Sequence, residues 1–277
     1  MTRAAVAFGP SLVAAGTARL RSAVLVRPNP EIERTGARIG EPGAIYARAL
    51  EQHEVLQSTL EYFGVETIVL GSHASDPYEV SVGDSAVVFE DGAVMMRPTA
   101  MSRRAEADRM QAEFAVVDVP LAGHIASPGL LDGNDIILAG ETAFVGVGSR
   151  GNEAGRAGFA KLAGARGYRV VEVPLAPTVP SLRSVAGAVA KDTIVVGAGK
   201  ADVAAFSGFR TIVLERGEEL AAGVLCLGER HVLAEIRYRT ALAQMRRAGI
   251  TVESIDLYEF TKLGIAPSML ALALKRE

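Results

Sequence analysis

The sequence predicts an α/β fold in which five strand–strand–helix–strand units close into a ring around a central channel. Three observations predict it. One order of elements recurs along the chain, no capping unit with a polar outer face is visible, and the two chain ends read as halves of one further unit. The chain has 277 residues, 49% of them hydrophobic, enough to bury a large core. No Pro/Ser-rich linker divides it. A single domain over residues 1–277 is therefore expected, with about the first 20 residues peripheral to it.

The elements follow in order. "SAVLVRP" reads as a strand, "AIYARALEQHEVLQSTLEYFG" as a helix and "ETIVLGS" as a strand. "SAVVFEDGAVMMRP" reads as two short strands with a turn near Asp91-Gly92; the amphipathic helix "RRAEADRMQAEFA" and the strand "VVDVPL" complete that unit. The order returns in "NDIILAGETAFVGVG", "NEAGRAGFAKLAGARG" and "YRVVEVPL". A shorter copy is "SVAGAVAKDTIVVGAG", "ADVAAFSGF" and "RTIVL". "GVLCLGERHVLAEI", "YRTALAQMRRAGI" and "VESIDL" make another. "SMLALALKR" then pairs back onto the N-terminal half-unit. Such units cannot bury their faces alone and must stack on neighbours. An ordinary open α/β sheet is the alternative reading of the same elements.

Composition narrows the function classes. The formal net charge is −3 without a Lys/Arg block, so nucleic acid is not an expected partner. Cys226 is the only cysteine, which excludes a disulfide framework or a Cys-based metal site within one chain. His73 and His124 lack metal-ligand spacing, and neither metal nor cofactor is expected. "MTRAAVAFGPSLVAAGTARL" faintly resembles a signal peptide, but Gly9 and Pro10 break its apolar run. No later segment is long enough to span a bilayer, so no membrane partner and a cytoplasmic location are expected.

Charge concentrates in three clusters at equivalent places in successive repeats: Glu90-Asp91, then Arg97 with Arg103-Arg104, then Asp132, Asp135 and Arg150. Carboxylates accept paired hydrogen bonds from a guanidinium, and arginines clamp an α-carboxylate. Carboxylates at one end of a cavity and arginines at the other would suit a zwitterion with a distant cationic head. Taken singly, each cluster also reads as hairpin-turn or helix-start chemistry.

"FEDGAVMMRPTAMSRRAE", "LDGNDIILAGETAFVGVGSRGN" and "EFTKLGIAPSMLAL" resemble the dimethylarginine dimethylaminohydrolase branch of the guanidino-modifying, or pentein, superfamily, from about Ala23 to the C-terminus. The resemblance implies a fivefold pseudosymmetric α/β propeller of ββαβ units and, since relatives of this fold are often dimers, a homodimer. It implies that Glu90 and Asp91 hold a substrate guanidinium, that Arg103 and Arg150 anchor the amino acid, and that Asp132 belongs to the catalytic group.

The family's chemistry needs a cysteine nucleophile and a proton-shuttling histidine. Counting from Glu259-Phe260 places Met269 in the nucleophile's position, and "PSLRSVAGAV" places Ser181 in the histidine's. Ser268, beside Met269, would face the opposite side of a strand. Cys226 lies in the apolar run "GVLCLG", where a small buried hydrophobe is expected. His53 and His231 are expected to be solvated, and His73 and His124 to lie in loops or at strand ends. Asn134 stands where the family has glycine. Asp84 lies one residue off the position of a further family acid and is not carried over.

The expected function is therefore a divergent enzyme of this family acting on an arginine-like amino acid or related amidine. It would use Asp132, with Glu90, for elimination, cyclisation or hydrolysis without a thiol. The alternative is an inactive pseudoenzyme, amino-acid-binding protein or partner subunit on the same fold. A residual dimethylargininase with an unexpected nucleophile is the third reading.

Overall fold

The computed structural model describes residues 11–72 and 76–277. Strand β1 (Leu20–Val26), helix α1 (Tyr46–Tyr62) and β2 (Glu66–Leu70) open the chain. β3 (Ala86–Phe89), β4 (Gly92–Met95), α2 (Arg104–Val116) and β5 (Leu121–His124) follow. The next unit is β6 (Ile136–Ala139), β7 (Thr142–Val147), α3 (Glu153–Gly164) and β8 (Arg169–Pro174). Short α4 (Leu182–Val185) leads into β9 (Ala186–Ala190), β10 (Thr193–Gly197) and β11 (Arg210–Leu214). The last unit comprises β12 (Leu225–Gly228), β13 (His231–Glu235), α5 (Arg239–Arg247) and β14 (Thr251–Ile255). Short α6 (Tyr258–Thr261) and β15 (Leu272–Arg276) end the chain.

The strands form five separate three-stranded sheets, which excludes the single open sheet. In every sheet the inner strand pairs antiparallel with the middle strand, and the middle pairs parallel with the outer one. β15 supplies the inner strand for β1 and β2, as the split unit requires. A parallel pair needs a crossover, and α1, α2, α3 and α5 provide four of them. In the fifth, a 3-10 turn at Val203–Phe206 replaces the helix, capped by the Asp202 carboxylate on the Ala204 N–H at 3.0 Å.

Each sheet is buried on both faces. Alternate residues of β3 serve different neighbours: Ala86 and Val88 pack with β1 and β15, while Val87 and Phe89 pack with β6 and β7. Apolar clusters join each sheet to the next, and those of the last and first sheets join through Leu225, Leu233, Leu20 and Leu25. This explains apolar runs where a one-sided sheet would show alternation. All five inner strands line one channel, through residues such as Val88, Ile137, Ala188, Cys226 and Ala273. The segment around Val13 pairs with the ends of β3 and β15, and the rest of the inner edges are shielded within the channel rather than removed.

Two expectations need correction. The segment "VVDVPL" is not a strand. α2 runs to Val116, Asp118 turns at φ 57°, and the Val119 N–H returns to the Phe114 carbonyl at 2.9 Å. The apolar Val117 and Val119 thus belong to a helix end, and β5 begins only at Leu121. The start of the chain is also not peripheral from Ser11 onward. The Leu12 N–H donates to the Glu90 carbonyl, Leu12 and Val13 are buried in the core, and Val13 and Gly16 line the channel. Gly9 and Pro10 lie outside the described residues. No described helix is long and apolar enough to cross a membrane.

Candidate functional site

A tight turn leads into each inner strand. These turns are Val82–Asp84, Gly133–Asp135, α4, Glu219–Ala222 and Pro267–Met269. They meet at one end of the channel, with α4 touching three of the others. Asp84 and Asp135 therefore end equivalent turns, as does Met269. Two glycines permit the first pair to touch. A Cβ on Gly133 would lie 2.1 Å from the Gly83 carbonyl oxygen, and one on Gly83 would lie 2.3 Å from the Asn134 side-chain oxygen.

Asp84, with no exposed surface, is the centre of the charge cluster. Its carboxylate is ion-paired to Arg103, lies 3.5 Å from Arg150 Nη1, and accepts the Asn134 backbone N–H at 3.3 Å. Arg103 also holds Glu106 through Nε (3.0 Å) and Nη2 (2.7 Å) and donates to the Ser81 carbonyl at 3.3 Å. Burial alone would raise the Asp84 pKa, but the two arginines more than offset it and hold it below the usual carboxylate range. Glu106 behaves differently: burial outweighs its bond to Arg103, and its pKa rises to about 7.

Asp132 precedes the Gly133–Asp135 turn and is 3% exposed. One carboxylate oxygen accepts the Thr99 N–H at 2.9 Å. Burial and then the charge of Asp84 push its pKa up to about 6, against the opposing pull of Arg150. The Asp135 pKa is raised well above the usual carboxylate value, again mainly by burial; one oxygen accepts the Leu182 N–H at 2.9 Å and the other has no hydrogen-bond partner among the described residues. Asn134 uses its side-chain amide on the Ser81 hydroxyl at 2.9 Å.

The two positions that the resemblance assigns to nucleophile and histidine face each other. The Ser181 hydroxyl donates to the Met269 sulfur at 3.7 Å, and both residues are buried. Met269 does not sit on a strand as expected. Pro267 starts a 3-10 turn there, because its fixed φ suits a first helical position, and β15 begins at Leu272. Ser268 donates to the Arg183 carbonyl at 3.0 Å, while the Arg183 guanidinium bonds back to the Ser268 carbonyl.

The structure separates several expected site residues from this cluster. Glu90 and Asp91 form the β3–β4 hairpin turn, a strand length of about 13 Å from Asp84. Glu90 is exposed and accepts from Ser11 at 3.2 Å, and Asp91 is paired with Arg166 at 2.7 Å. Neither bonds an arginine of the cluster. The reason is β3 itself: Asp84 precedes the strand and Glu90 and Asp91 follow it. Arg97 and Arg104 bond the Gly129 and Pro98 carbonyls. Acids and arginines are thus interleaved, not placed at opposite ends. His53 is buried, not solvated, and burial lowers its pKa to about 4. His231 bonds Glu253 at 3.0 Å, His124 ends β5, and His73 lies outside the described residues. Cys226 is buried and its thiol is pushed up by burial. Among the described residues no three potential metal-binding side chains of the His, Cys, Asp and Glu types converge. Asp84, set aside in the sequence as one residue off a family acid, is central here, and Glu106 and Arg183 join the cluster without having been singled out. The available signal for Asp84 was internal: "VGD" ends where "GND" ends in the next repeat.

No family model matches the chain. It is 33% identical over 136 residues to dimethylarginine dimethylaminohydrolase of Streptomyces coelicolor, and that match spans about half of each protein, 49% of this chain and 52% of the relative. It is 24% identical over 238 residues to the same enzyme of Pseudomonas aeruginosa, covering 86% of this chain and 92% of that one. The structure of the Pseudomonas enzyme complexed with citrulline superposes with a TM-score of 0.82 at 22% identity, covering 92% of this chain and all of that one. An amidinotransferase of Microseira wollei superposes with a TM-score of 0.80 at 14% identity, over 97% and 98% of the two chains. The chain therefore has the fold of the guanidino-modifying pentein enzymes and is similar in sequence to their dimethylarginine dimethylaminohydrolase branch.

Proposed function

We propose that the protein is an enzyme acting on an arginine-like amino acid or related amidine, by elimination, cyclisation or hydrolysis without a covalent thiol step. The observation that carries this reading is Asp132: a buried carboxyl with a pKa near 6, beside Arg150 and the Asp84 charge. A group that titrates close to neutrality can both accept and return a proton during turnover. Its oxygen on the Thr99 N–H fixes the carboxyl plane.

The roles differ from those the resemblance implies. Arg103 spends its guanidinium on Asp84, Glu106 and Ser81, so it positions Asp84 rather than clamping a ligand. Arg150 is 26% exposed in its side chain and meets Asp84 only at 3.5 Å, which leaves donors for a ligand carboxylate. Asp132, beside Arg150, is the acid offered to a cationic head in place of Glu90 and Asp91, since Asp84 is fully buried and held by Arg103 and Arg150. The Ser181–Met269 contact offers neither nucleophile nor base, which favours chemistry that runs through the carboxyl.

The test is a thermal-shift titration with arginine, its methylated and hydroxylated derivatives, ornithine and citrulline, followed by mass analysis of the best ligand after incubation. A selective shift and a product that forms equally well after thiol alkylation are expected. Asp132→Asn should keep the shift and lose the product. A shift without a product in the parent protein would move the reading to an amino-acid-binding protein or partner subunit, and no shift with any ligand would remove the guanidino class.

A further inference from the structure

The central channel holds two arginines that the proposed reaction does not use. Arg183 reaches it from α4 at the end where the turns converge. Arg276, on β15, lines it together with Val13, Gly16 and Cys226 and is 6% exposed. Between them the wall is lined by small residues of the inner strands, among them Ala86, Ala186, Ala188 and Ala273.

Neither guanidinium has a carboxylate partner among the described residues. Arg276 donates to the Ala18 carbonyl at 2.8 Å and the Cys226 carbonyl at 2.9 Å, and Arg183 to the Ser268 carbonyl. Each guanidinium carries five N–H donors, so both retain hydrogen-bonding capacity after these contacts. The nearest acid to act on Arg183 is Asp84, which is already neutralised by Arg103 and Arg150. Burial, and for Arg183 also the charge of Arg276, pulls both pKa values down, Arg183 to about 10; an arginine guanidinium is cationic at neutral pH. Buried charges are normally paired or bind an ion, and among the described residues no carboxylate contacts either guanidinium.

We propose that the channel is a binding site for a small inorganic monovalent anion of the chloride class, held between Arg183 and Arg276. Such an ion accepts from both guanidinium forks and from strand-edge N–H groups. It also braces the reciprocal Arg183–Ser268 clasp that fixes the turn carrying Met269.

The experiment uses the full chain in two readouts. Its melting temperature is followed in sodium bromide against sodium gluconate at constant ionic strength, and crystals soaked in bromide are measured at the bromine edge. A saturable rise in bromide is expected, about 5 °C at a hundredfold excess over Kd, with an anomalous peak between the two arginines. Arg276→Lys should retain the bromide response, and Arg276→Gln should lose both it and the peak. Equal melting in the two salts, or a peak without a saturable rise, overturns the proposal. So does an unchanged bromide response in Arg276→Gln.

Discussion

Asp132→Asn should make the protein more stable at alkaline pH while it abolishes turnover. The fold raises the Asp132 pKa from its ordinary 3.8 to about 6, mainly by burial and then by Asp84. At ~1.4 kcal/mol per pH unit, ionising it in the folded state costs as much as about 3 kcal/mol. The sign follows directly. A folded pKa above the unfolded value gives a contribution that is complete below 3.8 and lost as pH rises through about 6. Asparagine keeps an acceptor for the Thr99 N–H and never ionises, so the variant escapes that loss. Urea denaturation at pH 4 and pH 8 measures it. The variant should match the parent at pH 4 and exceed it by as much as about 3 kcal/mol at pH 8. A variant equally destabilised at both pH values would refute the reasoning and make Asp132 an ordinary structural acceptor.

Three further outcomes are expected. Asp84→Asn leaves Arg103 with Glu106 alone and should cost about 3 kcal/mol, seen by calorimetry as a fall of roughly 6 °C or more; a loss below about 1 kcal/mol would mean that Glu106 suffices. His53 has a pKa lowered from 6.5 to about 4 by burial, so its contribution is present above 6.5 and lost as pH falls through 4. His53→Gln should therefore flatten the acid limb of stability between those values, measured by denaturation across pH. Asp91→Ala should leave the ligand-induced thermal shift unchanged and cost under about 1 kcal/mol, because Asp91 is 56% exposed in its side chain and its ion pair is with Arg166 at the surface. Loss of ligand binding in that variant would restore the guanidinium role that the resemblance implies.

The repeat, and with it the α/β class, was legible from the chain alone because a strand–strand–helix–strand order leaves local marks: apolar runs, turn glycines and helical spacing. Gly64, Gly167 and Gly249 each stand in the left-handed conformation just past a helix, which dates those helix ends from sequence. At α2 the same position is Asp118, and without the glycine the end was read as a strand. The charged cluster was half legible. Asp132, Asp135 and Arg150 could be named, since they flank a turn next to apolar runs. Their company could not, because it depends on which end of a four-residue strand faces the turns. Asp84 and Glu90 sit at opposite ends of β3, and only the ring of sheets decides that the Asp84 end joins Arg103, Arg150 and α4. Periodicity specifies a unit; which charges end up sharing a buried, low-dielectric space is set by how the units close on one another.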